Sequence, residues 1–265
     1  MILLTAGGAF ASAFGKQCEA SVASQRTLTG DAFNAALASA TTVIHNAASL
    51  NCESEDEYLR RNFDFTRELV TKLQAHNPRA HLLLLSSMSV LDPRSASLYG
   101  DVAAMTPYAY SKYLAETYCL RCALPRVSCV RFSTLFYRDH RRDGLSALIR
   151  NAVVDNRVTI FNGGEARRDF IPLEIAAGYV AQIAQTTGTA RRVSTVASGQ
   201  STSFAEVVRI LRTLIPALEV EDQSVPRGDP VLADFSRDGI ADLDEIPFAI
   251  SEVIASYVRE LRACA

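Results

Sequence analysis

The chain has 265 residues, of which 48% are hydrophobic and 21% are charged, and its formal net charge is −2. This length allows a full hydrophobic core, in one large domain or in two unequal ones. The near-zero charge excludes the strongly basic field of a nucleic-acid-binding protein, and no apolar stretch is long enough to span a bilayer. We therefore expect neither a nucleic acid nor a membrane as partner.

The six cysteines are spread unevenly and do not make a disulfide framework. Cys119 and Cys122 form a CxxC pair within a predicted helix, but no second CxxC or histidine pair completes a four-ligand metal site. The cysteines indicate a reducing cytoplasm and no bound metal. The N-terminal apolar run is short and has no Lys or Arg ahead of it, so a first strand explains it better than a signal peptide.

Strand-like and helical patterns alternate through the first half, which predicts a parallel sheet with crossover helices. The predicted strands are 2–5, a weak one at 22–26, 42–45, 82–85 and 127–136. The predicted helices are a short one after Gly8, one over 55–75 and one over 108–122. The second half is less regular. Its predicted elements are a strand at 158–161 and helices at 145–154, 174–186, 204–214 and 246–263.

A hydroxyl pair and a Tyr-x-x-x-Lys sequence follow the apolar strand at 82–85. Ser86 and Ser87 end this strand, and Tyr108 and Lys112 are four residues apart, so they share one face of the predicted helix. A phenol whose pKa is lowered by a fixed ammonium, near a hydroxyl at a strand end, supplies what carbonyl reduction or carbinol oxidation needs. This pattern indicates an enzyme.

The segment 5–12 has the position and length of a dinucleotide-binding turn between a strand and a helix. In such a turn the backbone approaches a pyrophosphate, and Gly7 and Gly8 would form it here; the alternative is a Gly-Gly turn in a structural α/β domain. Arg26 ends the weak second strand, where an arginine can pair with a 2′-phosphate. It therefore favours NADP over NAD, with a solvated arginine as the alternative.

The chain resembles the extended short-chain dehydrogenase/reductase family, the NAD-dependent epimerases, dehydratases and reductases of nucleotide sugars. The resemblance runs nearly end to end. Its segments are Val43-Ile44-His45-Asn46-Ala47-Ala48, Arg61-Asn62-Phe63-Asp64-Phe65-Thr66, Ser86-Ser87-Met88-Ser89-Val90, Pro107-Tyr108-Ala109-Tyr110-Ser111-Lys112, Arg131-Phe132-Ser133-Thr134, Arg168-Asp169-Phe170 and Arg227-Gly228-Asp229.

The first turn departs from the family pattern Thr-Gly-x-x-Gly-x-x-Gly. Counted from Thr5, the three glycine positions hold Ala6, Ala9 and Ser12, while Gly7 and Gly8 occupy the variable positions. A Cβ at a positive φ costs about 1–2 kcal/mol. We therefore expect weakened cofactor binding, unless the shifted glycines rebuild the turn.

The resemblance implies a doubly wound parallel sheet, or Rossmann fold, with a smaller mixed C-terminal region. The dinucleotide-binding domain would be 1–136, with 171–197 returning to it, and the substrate-binding region 137–265. Ser87, Tyr108 and Lys112 would be catalytic, with Ser86 as the nearest rival of Ser87. The expected cofactor-binding residues, which include those of the turn and Arg26, are Thr5, Gly7, Gly8, Phe10, Ala11, Arg26, Asn46, Ala47, Ala48, Tyr108 and Lys112. The expected substrate-binding residues are Ser89, Thr134, Arg168 and Arg227.

Three functional hypotheses follow. The first is an NADP-dependent reductase of a 4-keto nucleotide sugar, used for polysaccharide or glycosylated metabolites, because the stretch between Arg26 and Thr42 is short, as it is in the family's reductases; NAD is the alternative cofactor. The second is a nucleotide-sugar epimerase or dehydratase that retains its NAD(P). The third is a non-catalytic relative that binds a nucleotide sugar or a partner subunit. The resemblance also implies a homodimer through the helices at 55–75 and 108–122.

Overall fold

A seven-stranded sheet organises the first part of the chain. This computed structural model describes residues 1–23, 30–91, 99–139, 144–186, 193–225 and 243–264. The strands of the sheet are β1 (Ile2–Leu4), β2 (Ser21–Val22), β3 (Thr42–His45), β4 (His81–Ser87), β5 (Val127–Phe132), β9 (Val193–Ala197) and β12 (Leu243–Glu245). Their order is β12-β9-β5-β4-β3-β1-β2. All strand pairs from β2 to β9 along this order are parallel, which confirms the predicted doubly wound fold.

The strand order reverses beside β1, because β2 lies on one side of it and β3 on the other. In open parallel sheets, ligands bind beyond the carboxyl ends of the strands at such a switch point. Three sequence-predicted segments lie at this edge: the turn after β1, the loop after β3, and the hydroxyls that end β4.

Helices flank the sheet, so its central strands are apolar on both faces. Val43, Ile44, Leu82, Leu83 and Leu84 are all fully buried, as expected for strands covered on both sides. The helices of this part are α1 (Ala9–Gly15), α2 (Asp31–Ser39), α3 (Glu55–Tyr58), α4 (Phe65–His76), α5 (Pro107–Arg121) and α7 (Leu173–Gln185).

The helix predicted over 55–75 has a more complex form. A π-helical segment, Leu59–Asp64, joins α3 to α4. Such segments are rare and often accompany functional sites, because they re-aim the side chains on either side. Here the segment carries the buried Asn62.

The strand predicted over 127–136 is broken at Ser133. β5 ends at Phe132, and β6 (Thr134–Phe136) pairs instead with β8 (Arg167–Pro172), which also pairs with β10 (Ser201–Ser203). A two-stranded parallel ribbon consists of β7 (Arg157–Phe161) and β11 (Glu219–Gln223). The helices here are α6 (Gly144–Val154), α8 (Phe204–Leu214) and α9 (Ile250–Cys264).

The chain divides into two compact units. The first comprises Met1–Phe132, Leu173–Val196 and Gly239–Asp244, and the second comprises Ser133–Pro172, Ala197–Asp238 and Glu245–Ala265. An aromatic cluster of Phe136, Phe170 and Tyr257 marks the core of the second unit. The assignment of dinucleotide binding to 1–136 and substrate binding to 137–265 stays a prediction. Within the described ranges, no helix has the length and hydropathy needed to cross a membrane.

Candidate active site

Two hydroxyls meet at the carboxyl end of β4. Ser87 is the last residue of this strand, and its Oγ accepts a hydrogen bond from the backbone N–H of Ser89 at 3.1 Å. The Ser87 side chain also lies near the Tyr108 hydroxyl and lowers its pKa. The rival hydroxyl, Ser86, is buried and makes no such contact in the described chain. The geometry thus joins Ser87 and Tyr108, which the sequence places 21 positions apart.

The start of α5 fixes Tyr108 and Lys112. Thr106 caps the helix by accepting from the backbone N–H of Ala109 at 3.2 Å, and Pro107 occupies the first helical position. One turn later, the Lys112 ammonium donates to the carbonyl oxygen of Leu85 at 2.6 Å. Lys112 is 2% exposed, so this bond holds a buried charge against β4.

Burial sets the ionisation of both groups. It raises the pKa of Tyr108 to about 12, partly offset by the nearby Ser87 side chain, while the ring remains partly exposed to solvent. It lowers the pKa of Lys112 to about 8, against the opposing charge of Glu116. The sequence led us to expect a lowered Tyr108 pKa. The structure shows the opposite shift, because desolvation outweighs the stabilisation of the phenolate.

A buried ion pair stands behind Lys112. Glu116 and Arg131 are 0% and 1% exposed, and Arg131 Nε donates to the two Glu116 oxygens at 3.0 and 3.1 Å. The Arg131 guanidinium also lies over the Tyr99 ring, 4.9 Å from its centroid. Glu116 is therefore paired with Arg131, and its charge also opposes the lowering of the Lys112 pKa.

A second aromatic ring lies against Tyr108. Tyr58 is edge-on to it with ring centroids 6.2 Å apart, and the Tyr58 hydroxyl donates to the carbonyl of Leu50 at 2.8 Å. No sequence motif marks Tyr58 as a site residue. It lies at the end of α3, directly before the π-helical segment. Apolar periodicity in the sequence does not reveal that segment, so the position of Tyr58 was not predictable.

The turn after β1 has its positive φ at a different position from the glycines of the family pattern. Gly8 has a φ of +96°, whereas Ala6, Ala9 and Ser12 do not have positive φ values. An added Cβ at Gly8 would meet nothing within 4 Å, so the backbone there is open to an approaching group. The shifted glycine takes the strained position, and the expected Cβ penalty at the alanines does not arise.

Asn46 ties this turn to the loop after β3. Its amide oxygen accepts from the backbone N–H of Ala6 at 2.9 Å, and its amide nitrogen donates to the Ala6 carbonyl at 2.8 Å. The open backbone at Gly8 and the buried ammonium of Lys112 lie at the same edge of the sheet, an arrangement that fits a dinucleotide.

The other predicted cofactor residues have different environments. Thr5 is fully buried and its hydroxyl bonds to His45, and Ala11 is buried on α1. Phe10 stacks on Phe14 and is partly exposed, as is Ala47, while Ala48 is exposed. Thr5 and Ala11 are thus suited to support the turn. Arg26, which carried the preference for NADP, lies outside the described residues.

The predicted substrate residues divide between the two units. In the first, the Ser89 Oγ is buried and has no partner among the described residues. In the second, Thr134 begins β6, and partly buried Arg168 donates to the Arg167 carbonyl at 2.7 Å. Burial lowers the pKa of Arg168. Arg227 lies outside the described part of the chain.

Asp169, next to Arg168, braces the second unit. It accepts from the Ser198 N–H at 2.9 Å, from the Ser198 hydroxyl at 2.8 Å and from the Gln200 N–H at 3.2 Å. These bonds join β8 to the loop after β9. Among the described residues, no cluster of His, Cys, Asp and Glu could hold a metal ion.

Comparison with solved structures gives the same fold along the whole chain. An NAD-dependent NDP-hexosamine 5,6-dehydratase, TunA, of tunicamycin biosynthesis is 21% identical with a TM-score of 0.77, over 100% of this chain and 98% of that one. A point mutant of UDP-glucuronic acid 4-epimerase from Bacillus cereus, in complex with UDP-4-deoxy-4-fluoro-glucuronic acid and NAD, is 18% identical with a TM-score of 0.77, over 100% of both chains. RMD from Pseudomonas aeruginosa, complexed with NADPH, is 18% identical with a TM-score of 0.72, over 99% of both chains.

No curated protein sequence matches the chain significantly. The family model of the NAD-dependent epimerase/dehydratase family matches residues 10–192. This range covers more than half of the chain and includes β3, β4 and α5 with the Ser87, Tyr108 and Lys112 positions. The chain therefore belongs to the NAD-dependent epimerase/dehydratase family.

Proposed function

We propose that this chain catalyses reversible hydride transfer between a nicotinamide dinucleotide and a carbon atom of a nucleotide-activated sugar. The observation that carries the proposal is the Ser87 side chain near the Tyr108 hydroxyl, with the buried ammonium of Lys112 one helical turn after Tyr108 and bonded to the same strand at Leu85. Family membership supports it. A module that only binds a nucleotide sugar has no need for this arrangement.

Each residue has a proposed role. Tyr108 gives a proton to the sugar oxygen or takes one from it, and Ser87 hydrogen-bonds the same oxygen. Lys112 holds the nicotinamide ribose and supplies the positive charge that a phenolate requires. When bound, the dinucleotide supplies the hydride donor or acceptor. Gly8 gives its phosphates access to the backbone, and Asn46 keeps that turn in place.

For the net reaction, epimerisation with a retained NAD is the first candidate. It accords with the family and with the epimerase of the same fold that was solved with NAD. A dehydration also needs a base for a carbon-bound proton. The neighbours of Ser87, which are Ser86, Met88 and Ser89, carry no carboxylate to serve as one.

Reduction of a 4-keto nucleotide sugar is the second candidate. Tyr108, with its pKa raised to about 12, is protonated at neutral pH and is therefore a proton donor, the form that carbonyl reduction uses. RMD, of the same fold, was solved with NADPH. NADP use by this chain rests on Arg26 and stays a proposal, as do a homodimer and a cytoplasmic location.

One pair of measurements tests these proposals. A thermal-shift titration with NAD, NADH, NADPH and several nucleotide sugars identifies the ligands. Absorbance at the nicotinamide wavelength then separates the candidates, because a reductase consumes one reduced dinucleotide per product and an epimerase shows no net change. A protein that no dinucleotide stabilises would contradict the proposal.

Tyr108→Phe tests the chemistry directly. Loss of the proton donor is expected to lower kcat about 10²–10⁴-fold, with dinucleotide affinity nearly unchanged. The matched control is Tyr110→Phe in the same helix, because the residue four positions after Tyr110 is Leu114 and not a lysine. Equal activity of the Tyr108→Phe and wild-type proteins would rule out the catalytic role.

A further inference from the structure

His45 is a buried imidazole at the carboxyl end of β3 that the proposed chemistry does not use. It is 1% exposed, and both ring nitrogens are hydrogen-bonded. Nδ1 lies 2.8 Å from the Thr5 hydroxyl and Nε2 lies 2.8 Å from the Thr66 hydroxyl. Because Thr5 precedes the turn at Gly8 and Thr66 lies in the first turn of α4, His45 joins two separate segments of the first unit.

The neighbouring groups determine which nitrogen carries the proton. The Thr66 hydroxyl donates to the backbone carbonyl of Asn62 at 2.6 Å, so it accepts from His45. Nε2 is therefore the protonated nitrogen, and Nδ1 accepts from Thr5. Hydrogen bonds thus run in one direction from Thr5 through His45 and Thr66 to Asn62.

The side chain of Asn62 continues the connection to the catalytic helix. Its oxygen accepts from the Ser49 N–H at 2.7 Å, which orients the amide so that its nitrogen donates to the Ser111 hydroxyl at 3.0 Å. Ser111 in turn donates to the backbone carbonyl of Tyr108 at 2.7 Å. This series of hydrogen bonds, which is buried except for its partly buried last bond, therefore ends on the residue that holds the proposed proton donor.

His45 is neutral in these surroundings. The groups around it are the Thr5 and Thr66 hydroxyls, the edge of the Phe65 ring at a centroid distance of 5.2 Å, and the positive charge of Lys112. Burial and that charge lower the pKa of His45 to about 3. A neutral imidazole with one donor and one acceptor is what the two hydroxyls require, because a cation would lose its bond from Thr5.

We propose that His45 is a positioning residue that couples the dinucleotide turn after β1 to the placement of Tyr108. The inference rests on the proposed function for its kinetic consequence, but the physical link between Thr5 and Tyr108 exists within this chain whether or not the reaction is as proposed. A buried network in which every member is satisfied has a single arrangement, so breaking one bond shifts both ends.

His81 provides a matched control within the same sheet. It is also a buried histidine on a strand, 0% exposed, and its Nε2 lies 2.9 Å from the Ser128 hydroxyl. His81 begins β4, at the amino edge of the sheet, and the candidate site lies at the carboxyl edge. His81→Leu therefore reports the cost of losing a buried histidine without touching the connection to Tyr108.

The experiment compares His45→Leu, His45→Gln and His81→Leu with the wild-type protein. We expect His45→Leu to lower kcat about a hundredfold, since displacing a reactive group by about 1 Å has this effect, and to weaken dinucleotide binding. His45→Gln keeps one donor and one acceptor and is expected to recover most of the loss. His81→Leu should leave kcat and the dinucleotide Kd unchanged despite a similar loss of stability.

Amide hydrogen exchange gives a readout that does not depend on activity. With the dinucleotide absent, exchange at Ala109 and Tyr110 in the first turn of α5 should be faster in His45→Leu than in His81→Leu, after correction for global stability. If His45→Leu does not fold, Thr66→Val breaks the same link at its next bond, and the same changes are expected.

The outcomes separate the two proposals. Equal kinetics and equal exchange in the His45→Leu and His81→Leu proteins would overturn the coupling, and so would a His45→Gln protein no better than His45→Leu. A wild-type protein that binds no dinucleotide would overturn the proposed function instead. The exchange result would then decide the coupling alone.

Discussion

Glu116 in the first unit and Asp169 in the second are both buried carboxylates, but different groups compensate for their loss of water. Glu116 is paired with the Arg131 guanidinium and lies one turn from Lys112. Asp169 is held by the Ser198 hydroxyl and by backbone N–H groups. The first arrangement sets the electrostatic environment of a proposed active-site lysine, and the second fixes the path of the chain. Burial of a charge therefore does not by itself indicate a reactive site; the partner does.

The largest effect is expected from breaking the ion pair. Glu116→Gln leaves the Arg131 guanidinium buried without its counter-charge, which costs about 3–5 kcal/mol of unfolding free energy. It also removes the charge that supports protonation of Lys112, so the pKa of Lys112 should fall below about 8. As the pH is raised, the substituted protein should therefore lose activity at a lower pH than the wild-type protein does.

Urea unfolding and a pH–rate profile measure these two effects. The control is Glu68→Gln, which removes the exposed i,i+4 partner of Lys72 and should cost less than about 0.5 kcal/mol. A Glu116→Gln protein as stable as this control would mean that the buried pair contributes little.

A second prediction concerns the free energy of unfolding at acidic pH. Burial lowers the pKa of His45 to about 3 and that of His81 to about 4, from 6.5 in the unfolded chain. The unfolded state therefore binds protons first, and the stability present above pH 6.5 is lost as the pH falls towards these values. Between pH 6.5 and its folded-state pKa, each histidine should lower the free energy of unfolding by about 1.4 kcal/mol for every pH unit that the pH falls. Burial raises the pKa of Asp169, so its contribution has the opposite sign.

Unfolding free energies at about pH 7, 6 and 5 test this prediction, because this range starts just above the ordinary histidine pKa and extends below it. His81→Gln should reduce the slope by its own share. An unchanged slope for His81→Gln would contradict the assignment of a neutral buried imidazole.

The smallest effect is expected in the second unit. Asp169→Asn keeps one acceptor oxygen but turns a donor amide towards Ser198 or Gln200, which costs about 1–2 kcal/mol. The structural role predicts lower stability with the dinucleotide Kd unchanged. The control is the exposed Asp222, which accepts from the Gly163 N–H and whose change to Asn should be nearly neutral. A loss as large as that of Glu116→Gln would show that hydroxyl and backbone donors are no weaker partners than a guanidinium.

Local signals predicted the first unit well. The apolar runs of β3 and β4 are fully buried strands, and Pro107 and the Tyr108–Lys112 spacing define the start and the active face of α5 without long-range information. The apolar run of β4 also predicts that Ser87 lies at the end of a strand in a parallel sheet. Family membership and fold accord with these expectations, while the roles of the individual residues stay proposals.

Long-range contacts explain what sequence patterns did not predict. β8 carries Arg168 and Asp169 in a strand because Asp169 is satisfied by residues 29 to 31 positions away. The break at Ser133 depends on the pairing of Thr134 with Phe170. The positive φ of Gly8 in a variable position of the family turn, and the raised pKa of Tyr108, both depend on the folded surroundings.

The π-helical segment at Leu59–Asp64 has a consequence for how this chain tolerates changes in length. A π turn contains one residue more than an α turn, and one residue corresponds to about 100° of rotation around a helix. Deleting a single residue from this segment would restore ordinary helical winding and rotate the Tyr58 ring away from Tyr108. Elsewhere on a helix such a deletion disrupts the regular hydrogen bonds. Here the helix would become more regular, while the proposed proton donor would lose its aromatic neighbour.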